Sequence, residues 1–206
     1  MQFLAGYHYK EEPGNADWPP LVLLHGSGST EEVWEVFGET AAPGTSIFAV
    51  RGPIAWEAGF AFFRRNPDRT LDYEDLSRQT INLAQFLAAL SSCHAFTKPP
   101  VIVGFSNGAI IAASLIADHV DLTSGAVLLR PLSPLRDKAP VLPNDYPLLI
   151  LAALRDSRRD PRDHEIVAAQ FLKAGAEVTC KVHDCDHGMS NGDVADTKAW
   201  LEEKFQ

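Results

Sequence analysis

Residues 104–108 read Gly-Phe-Ser-Asn-Gly, preceded by the apolar, β-branched run Val101-Ile102-Val103 and followed by the helix-compatible run Ala109 to Ala117. Strand, sharp turn and helix in that order are the context a nucleophile elbow requires, with Ser106 expected at its apex; the alternative is a glycine-rich turn with a bystander serine. A side chain at Gly104 or Gly108 would collide with neighbouring backbone as the chain reverses. A serine hydroxyl attacks poorly at neutral pH unless a base sits beside it and a third group orients that base. Asp156 follows the apolar run Pro147 to Ala153, and His187 lies in the later loop Asp184-Cys185-Asp186-His187-Gly188. Both therefore fall at the C-terminal ends of predicted strands, where ligands of open α/β sheets bind. Asp160 is the rival acid, four residues deeper in its loop. His183 is the rival base, but it falls inside a strand pattern. The third candidate, His25, precedes the serine and is read as supporting its own loop by hydrogen bonding.

The same chemistry needs donors aimed at a developing oxyanion. The N–H of Asn107, next after the nucleophile, is one. The loop His25-Gly26-Ser27-Gly28 is to supply the other from Ser27 N–H, its glycines allowing close backbone approach.

These residues require a scaffold, and the apolar runs outline it. Leu21–Leu24, Ser46–Val50, Val101–Val103, Gly125–Leu129 and Pro147–Ala153 are short and nearly wholly apolar, as in strands buried on both faces of a parallel sheet. Phe3–Lys10 reads as an edge strand, Glu11–Pro20 as turn-like, and Glu177–His183 as an alternating strand near a sheet edge. Helices are expected to start at Thr30–Val33, to run over Tyr73–Leu90, where apolar residues recur at helical spacing, and over 163–174 and 194–204. Residues 54–72 show no clean period. Strands alternating with helices predict an α/β protein with a mostly parallel central sheet flanked by helices.

Composition narrows the function. A length of 206 residues suits a single domain, 1–206, with a sizeable core. A net charge of −9 and no basic stripe argue against nucleic acid as partner. No apolar run reaches the roughly 18 residues of a membrane span, and the N-terminus lacks the pattern of a signal peptide. Three cysteines, Cys93, Cys180 and Cys185, are too few and scattered for a disulfide framework or zinc site. A reduced cytoplasmic enzyme with no metal and no cofactor is the expectation. A homodimer through an exposed edge strand or helix is compatible with the pattern.

His25-Gly26-Ser27-Gly28, Arg51-Gly52-Pro53, Phe62-Phe63-Arg64-Arg65, Glu74-Asp75-Leu76, Gly104 to Ala109, Asp156 and Asp186-His187-Gly188 together resemble the small phospholipase/carboxylesterase group of α/β-hydrolases. The Phe-Phe-Arg-Arg and Gly-Phe-Ser-Asn-Gly-Ala segments resemble bacterial carboxylesterases associated with hydroquinone and quinone metabolism. The match runs from about Leu21 to the C-terminus. It implies an α/β-hydrolase fold with minimal or no lid domain, a triad of Ser106, Asp156 and His187, and an oxyanion hole of Ser27 and Asn107. The acid loop departs from the group: Ala153-Leu154-Arg155-Asp156 replaces Gly-x-x-Asp, and Ser157-Arg158-Arg159-Asp160-Pro161 is more charged than its apolar-Pro pattern.

The resulting expectation is a serine carboxylesterase acting on a small, modestly polar or aromatic ester. Arg51, Trp56, Phe60 and Phe63, with Phe62, are candidate substrate-contacting residues. Each aromatic has the alternative of packing residues 54–72 onto the body, and Arg51 that of tying down its loop. Thioesterase or lysophospholipase action on the same triad is the alternative activity, and a non-catalytic binding protein of the same fold the alternative class.

Overall fold

A computed structural model of the chain describes residues 1–14, 18–136 and 139–205. The turn-like reading of 11–20 falls partly outside them. Ten strands and five α-helices are found among these residues, with 3-10 turns at Glu31–Trp34 and Val120–Leu122: β1 (Gln2–Leu4), β2 (Tyr7–Glu12), β3 (Leu21–Leu24), α1 (Glu35–Ala41), β4 (Ile47–Arg51), β5 (Ile54–Trp56), β6 (Gly59–Ala61), α2 (Tyr73–Cys93), β7 (Val101–Phe105), α3 (Asn107–His119), β8 (Gly125–Leu129), β9 (Tyr146–Ala153), α4 (Asp163–Lys173), β10 (Ala176–His183) and α5 (Asn191–Phe205). Eight strands form one sheet in the order β1-β2-β4-β3-β7-β8-β9-β10. From β4 to β10 every neighbour is parallel, whereas β1–β2 and β2–β4 are antiparallel.

Because side chains alternate across a strand, each apolar run feeds two cores. Val22, Leu24, Ile102, Leu128 and Ile150 enter the core that also holds α2, α3 and α4 residues such as Leu83, Ile111 and Phe171. Leu21, Leu23, Val103, Leu129 and Leu151 enter the opposite core, with Phe37 of α1 and Trp200 of α5. A strand covered on both faces has no solvent side, which is why these runs carry no polar alternation.

Two stretches differ from the sequence expectation. The single edge strand expected over Phe3–Lys10 is a hairpin, turning at Ala5 (φ 44°) and Gly6 (φ 89°). Both central turn residues take positive φ, as a two-residue type I′ connection requires. The unpatterned stretch 54–72 contains the β5–β6 hairpin, which lies outside the main sheet. Strands of three residues are too short to display a period.

Chain order reverses between β3 and β7. From β3 the chain passes through α1 to β4 on one side, and from β4 through α2 back to β7 on the other. The crevice over such a switch point is where open α/β sheets place ligands. Both the His25–Gly28 loop and the Ser106 turn open onto it.

Candidate active site

The elbow is held by contacts that exclude any Cβ at its two glycines. One built on Gly104 would lie 2.5 Å from the Gly108 carbonyl oxygen, and one on Gly108 would lie 2.1 Å from that of Leu24. Ser106 has φ 53° and ψ −104°, left-handed backbone that a residue with a side chain adopts only under constraint. Its N–H donates to Leu129 O at 2.9 Å, fixing the apex to β8.

Ser106 Oγ lies 3.0 Å from Nε2 of His187, and His187 Nδ1 lies 2.8 and 2.7 Å from the two carboxylate oxygens of Asp156. Asp156 and His187 keep only 4% and 12% of their side-chain surface. With Nδ1–H donating to the carboxylate, Nε2 presents its lone pair to the serine hydroxyl. Burial holds the His187 pKa below the ordinary 6.5; Arg159 and Arg158 push the same way, against the pull of Asp156. The imidazole is therefore neutral at pH 7 and able to take a proton. The ring of Phe105 packs 5.3 Å from that of His187.

Each rival side chain is engaged elsewhere. Asp160 accepts the N–H of Arg162 at 2.9 Å, inside its own loop. His183 Nε2 faces α5, 3.2 Å from Asp196 and 3.7 Å from Asp193. The buried His25 ring bonds Gly26 O through Nδ1 at 2.7 Å and accepts Gly52 N–H at Nε2 at 3.0 Å. Burial lowers its pKa, in keeping with a neutral ring bracing two loops.

Ser27 and Asn107 lie on two segments joined at the elbow, where Gly108 N–H donates to His25 O at 3.2 Å. Asn107 opens α3, where helix geometry leaves the N–H without an intrahelical acceptor. The Ser27 loop is clamped from above by the β5–β6 hairpin: Gly28 N–H donates to Phe60 O and Phe60 N–H to Ser29 O, each at 2.9 Å. Gly59 permits that approach, since a Cβ there would lie 2.6 Å from Gly28 O. Phe60 therefore positions the loop through its main chain, a role that neither the pattern nor the residue type signals.

The substrate-contact candidates divide. Phe62 and Phe63 are 0% and 1% exposed within the core, so neither walls an open pocket. Their main chain is pinned instead by the Asn107 side chain, whose Oδ1 accepts Phe62 N–H at 2.8 Å and whose Nδ2 donates to Phe63 O at 3.2 Å. Arg51 forks onto the buried Glu31 carboxylate with two 2.6 Å bonds and lies over the Phe60 ring, which ties its loop to the turn before α1. Trp56 and Phe60 remain half-buried on the hairpin.

Two arginines were missed by sequence reasoning. Arg130, fully buried after β8, bonds both oxygens of Asp193 at 2.8 and 2.7 Å and donates to Leu151 O and Gly188 O. It thereby ties the loop carrying His187 to β9 and to α5. Arg159, in the charged part of the acid loop, donates from Nη2 to Ser106 Oγ at 3.1 Å and from Nε to Arg130 O at 2.9 Å. The only advance sign of it was that this loop is more charged than the group's pattern. Among the described residues no group of three or more His, Cys, Asp or Glu side chains converges as a metal site would, and no helix is long and apolar enough to cross a membrane.

Comparison with known proteins bears on the fold and the family. A profile described as the alpha/beta hydrolase family matches residues 21–201. The Bacillus subtilis (strain 168) protein named "Putative hydrolase MhqD" is 30% identical over 195 residues, 93% of this chain and 96% of its own length. A Bacillus cereus carboxylesterase structure superposes with a TM-score of 0.92 at 29% identity, covering 97% of this chain and 95% of that one. A carboxylesterase structure from Mesorhizobium loti superposes with a TM-score of 0.85 at 27% identity, covering 98% and 97%.

Proposed function

Since the chain belongs to the alpha/beta hydrolase family, we propose that it is a serine carboxylesterase cleaving small carboxylic esters through an acyl-enzyme on Ser106. The observation that carries this reading is the continuous relay from Asp156 through His187 to a serine held at φ 53°. The Bacillus cereus and Mesorhizobium loti carboxylesterases, which share the fold along nearly its whole length, point to the same chemistry.

In the proposed mechanism His187 Nε2 takes the Ser106 proton as Oγ attacks the ester carbonyl. The oxyanion is held by the N–H groups of Ser27 and Asn107. Such donors are each worth about 10²–10³ in turnover in enzymes of this type. His187 then protonates the departing alcohol. A water, deprotonated by the same imidazole, releases the acid and restores Ser106. Asp156 keeps the productive tautomer and stabilises the imidazolium.

Incubation with a fluorophosphonate tests the reading directly. Covalent labelling that disappears in Ser106→Ala supports it, and a folded protein that takes up no label rejects it. A panel of alkyl esters, acyl-CoAs and lysophospholipids then separates the esterase from the thioesterase and lysophospholipase activities.

A further inference from the structure

One guanidinium, that of Arg159, lies beside the nucleophile with no carboxylate at ion-pair distance among the described residues, and Arg65 is near enough to repel it. Arg159 has five N–H donors, and three of them go to neutral oxygens: Arg130 O, Arg158 O and Ser106 Oγ. Arg65 donates to Arg69 O and lies over the Phe63 ring. Among the described residues neither makes an ion pair. The nearby carboxylates direct their hydrogen bonds elsewhere, Asp156 to His187 and Asp163 to Asp160 N–H at 2.9 Å, and reach Arg159 only through space. Burial pushes the Arg159 pKa down to about 10, with Arg65 adding repulsion, so the group stays charged at neutral pH. Asp156 and Asp163 act on Arg159 without touching it, so a partly buried cation with spare N–H donors is left to gain from an anion bound in direct contact.

The position of this cation indicates where on a substrate the anion would sit. Arg159 Nη2 is 3.1 Å from the attacking oxygen. A carboxylate oxygen about 2.8 Å from that nitrogen lies within about 6 Å of Ser106 Oγ. Resting on the serine-hydrolase reading above, we propose that Arg159 receives a substrate carboxylate, making the preferred substrates anionic esters with a carboxylate a few bonds from the scissile carbonyl. A dianionic phosphate fits less well, because Asp156 and Asp163 are close enough to act on the same guanidinium. Arg51 is not the receptor, since Glu31 already holds it.

The test compares initial rates by pH-stat in matched pairs. Methyl hydrogen succinate against methyl butyrate places the charge on the acyl side. Acetoxyacetate against propyl acetate places it on the alcohol side. The expectation is a kcat/KM preference of about 10- to 100-fold for the charged member of at least one pair, from a charge-assisted hydrogen bond. Arg159→Gln should bring that ratio to within about threefold of unity, and Arg159→Lys should retain part of it. No preference in the parent protein, or one that survives Arg159→Gln, overturns the proposal. Fluorophosphonate labelling of each variant reports whether the fold and Ser106 are intact. Binding is also read without turnover, by calorimetry of Ser106→Ala with methyl hydrogen succinate and with acetoxyacetate. Binding of either that is lost in Ser106→Ala/Arg159→Gln supports the carboxylate receptor even if the parent takes no label, and absence of binding for both refutes it. Labelling at Ser106 with no charge preference leaves the esterase reading standing and removes only Arg159's role.

Discussion

Replacing Asp193 by Ala leaves the Arg130 guanidinium buried with no counter-charge. Both groups have 0% side-chain exposure, so water cannot take the place of the lost carboxylate. Removing one partner of a buried ion pair typically destabilises by about 3–5 kcal/mol. Asp193 also accepts the N–H and hydroxyl of Ser190 at 2.7 and 2.9 Å, so the start of α5 loses a capping box as well. In a protein of this size each kcal/mol moves Tm by about 2–4 °C, giving an expected fall of about 6–20 °C in a calorimetric scan. Activity should fall too, below the temperature at which the variant unfolds. Arg130 Nη2 donates to Gly188 O at 2.8 Å, and that residue directly follows His187. A fall in kcat with little change in KM is expected, because the imidazole is loosened rather than the ester site. Replacing the pair together, as Arg130→Met/Asp193→Leu, should recover much of the stability, since no unpaired charge remains. An Asp193→Ala variant within about 1 kcal/mol of the parent in urea unfolding would refute the reasoning about this pair.

Three further outcomes follow from the site. His187 must be neutral to act as base, so kcat/KM should rise with pH through a midpoint below 6.5, the direction set by burial and the two arginines; Arg158→Gln, which removes part of that repulsion, should move the midpoint upward in a pH–rate profile. Asn107→Ala strips partners from Phe62 N–H and Phe63 O in the buried segment under the hairpin, for an expected loss of about 2–6 kcal/mol by denaturant titration, at about 1–3 kcal/mol per orphaned group. Gly108→Ala drives a methyl into the backbone at Leu24 and should abolish soluble, labelled protein, whereas Gly44→Ala, at a glycine with open space but φ 78°, should lose only stability.

The elbow was legible because its signals are local. A β-branched run, two glycines four apart and a small-residue helix all fall within some twenty residues, and each is a direct consequence of steric limits on that turn. The buried parallel strands were legible for the same reason, being apolar on both faces. Asp156 and His187 could be chosen over Asp160 and His183 because a position at a strand's end, rather than within a strand or deep in a loop, can be read along the chain. The hairpin at 54–61 was not legible, since three-residue strands carry no period, and its purpose of clamping the Ser27 loop is a contact between main chains. Phe63 could not be told from Trp56 by type, because both are large aromatics and only packing decides which one faces the core. Arg51, Arg130 and Arg159 look alike on paper. Their different surroundings, against Glu31, Asp193 and Ser106 at separations of 20, 63 and 53 residues, arise only when the sheet brings its loops together. Residue order and steric pattern thus specify where chemistry can happen, while the partner of each charge depends on distances that exist only in the folded chain.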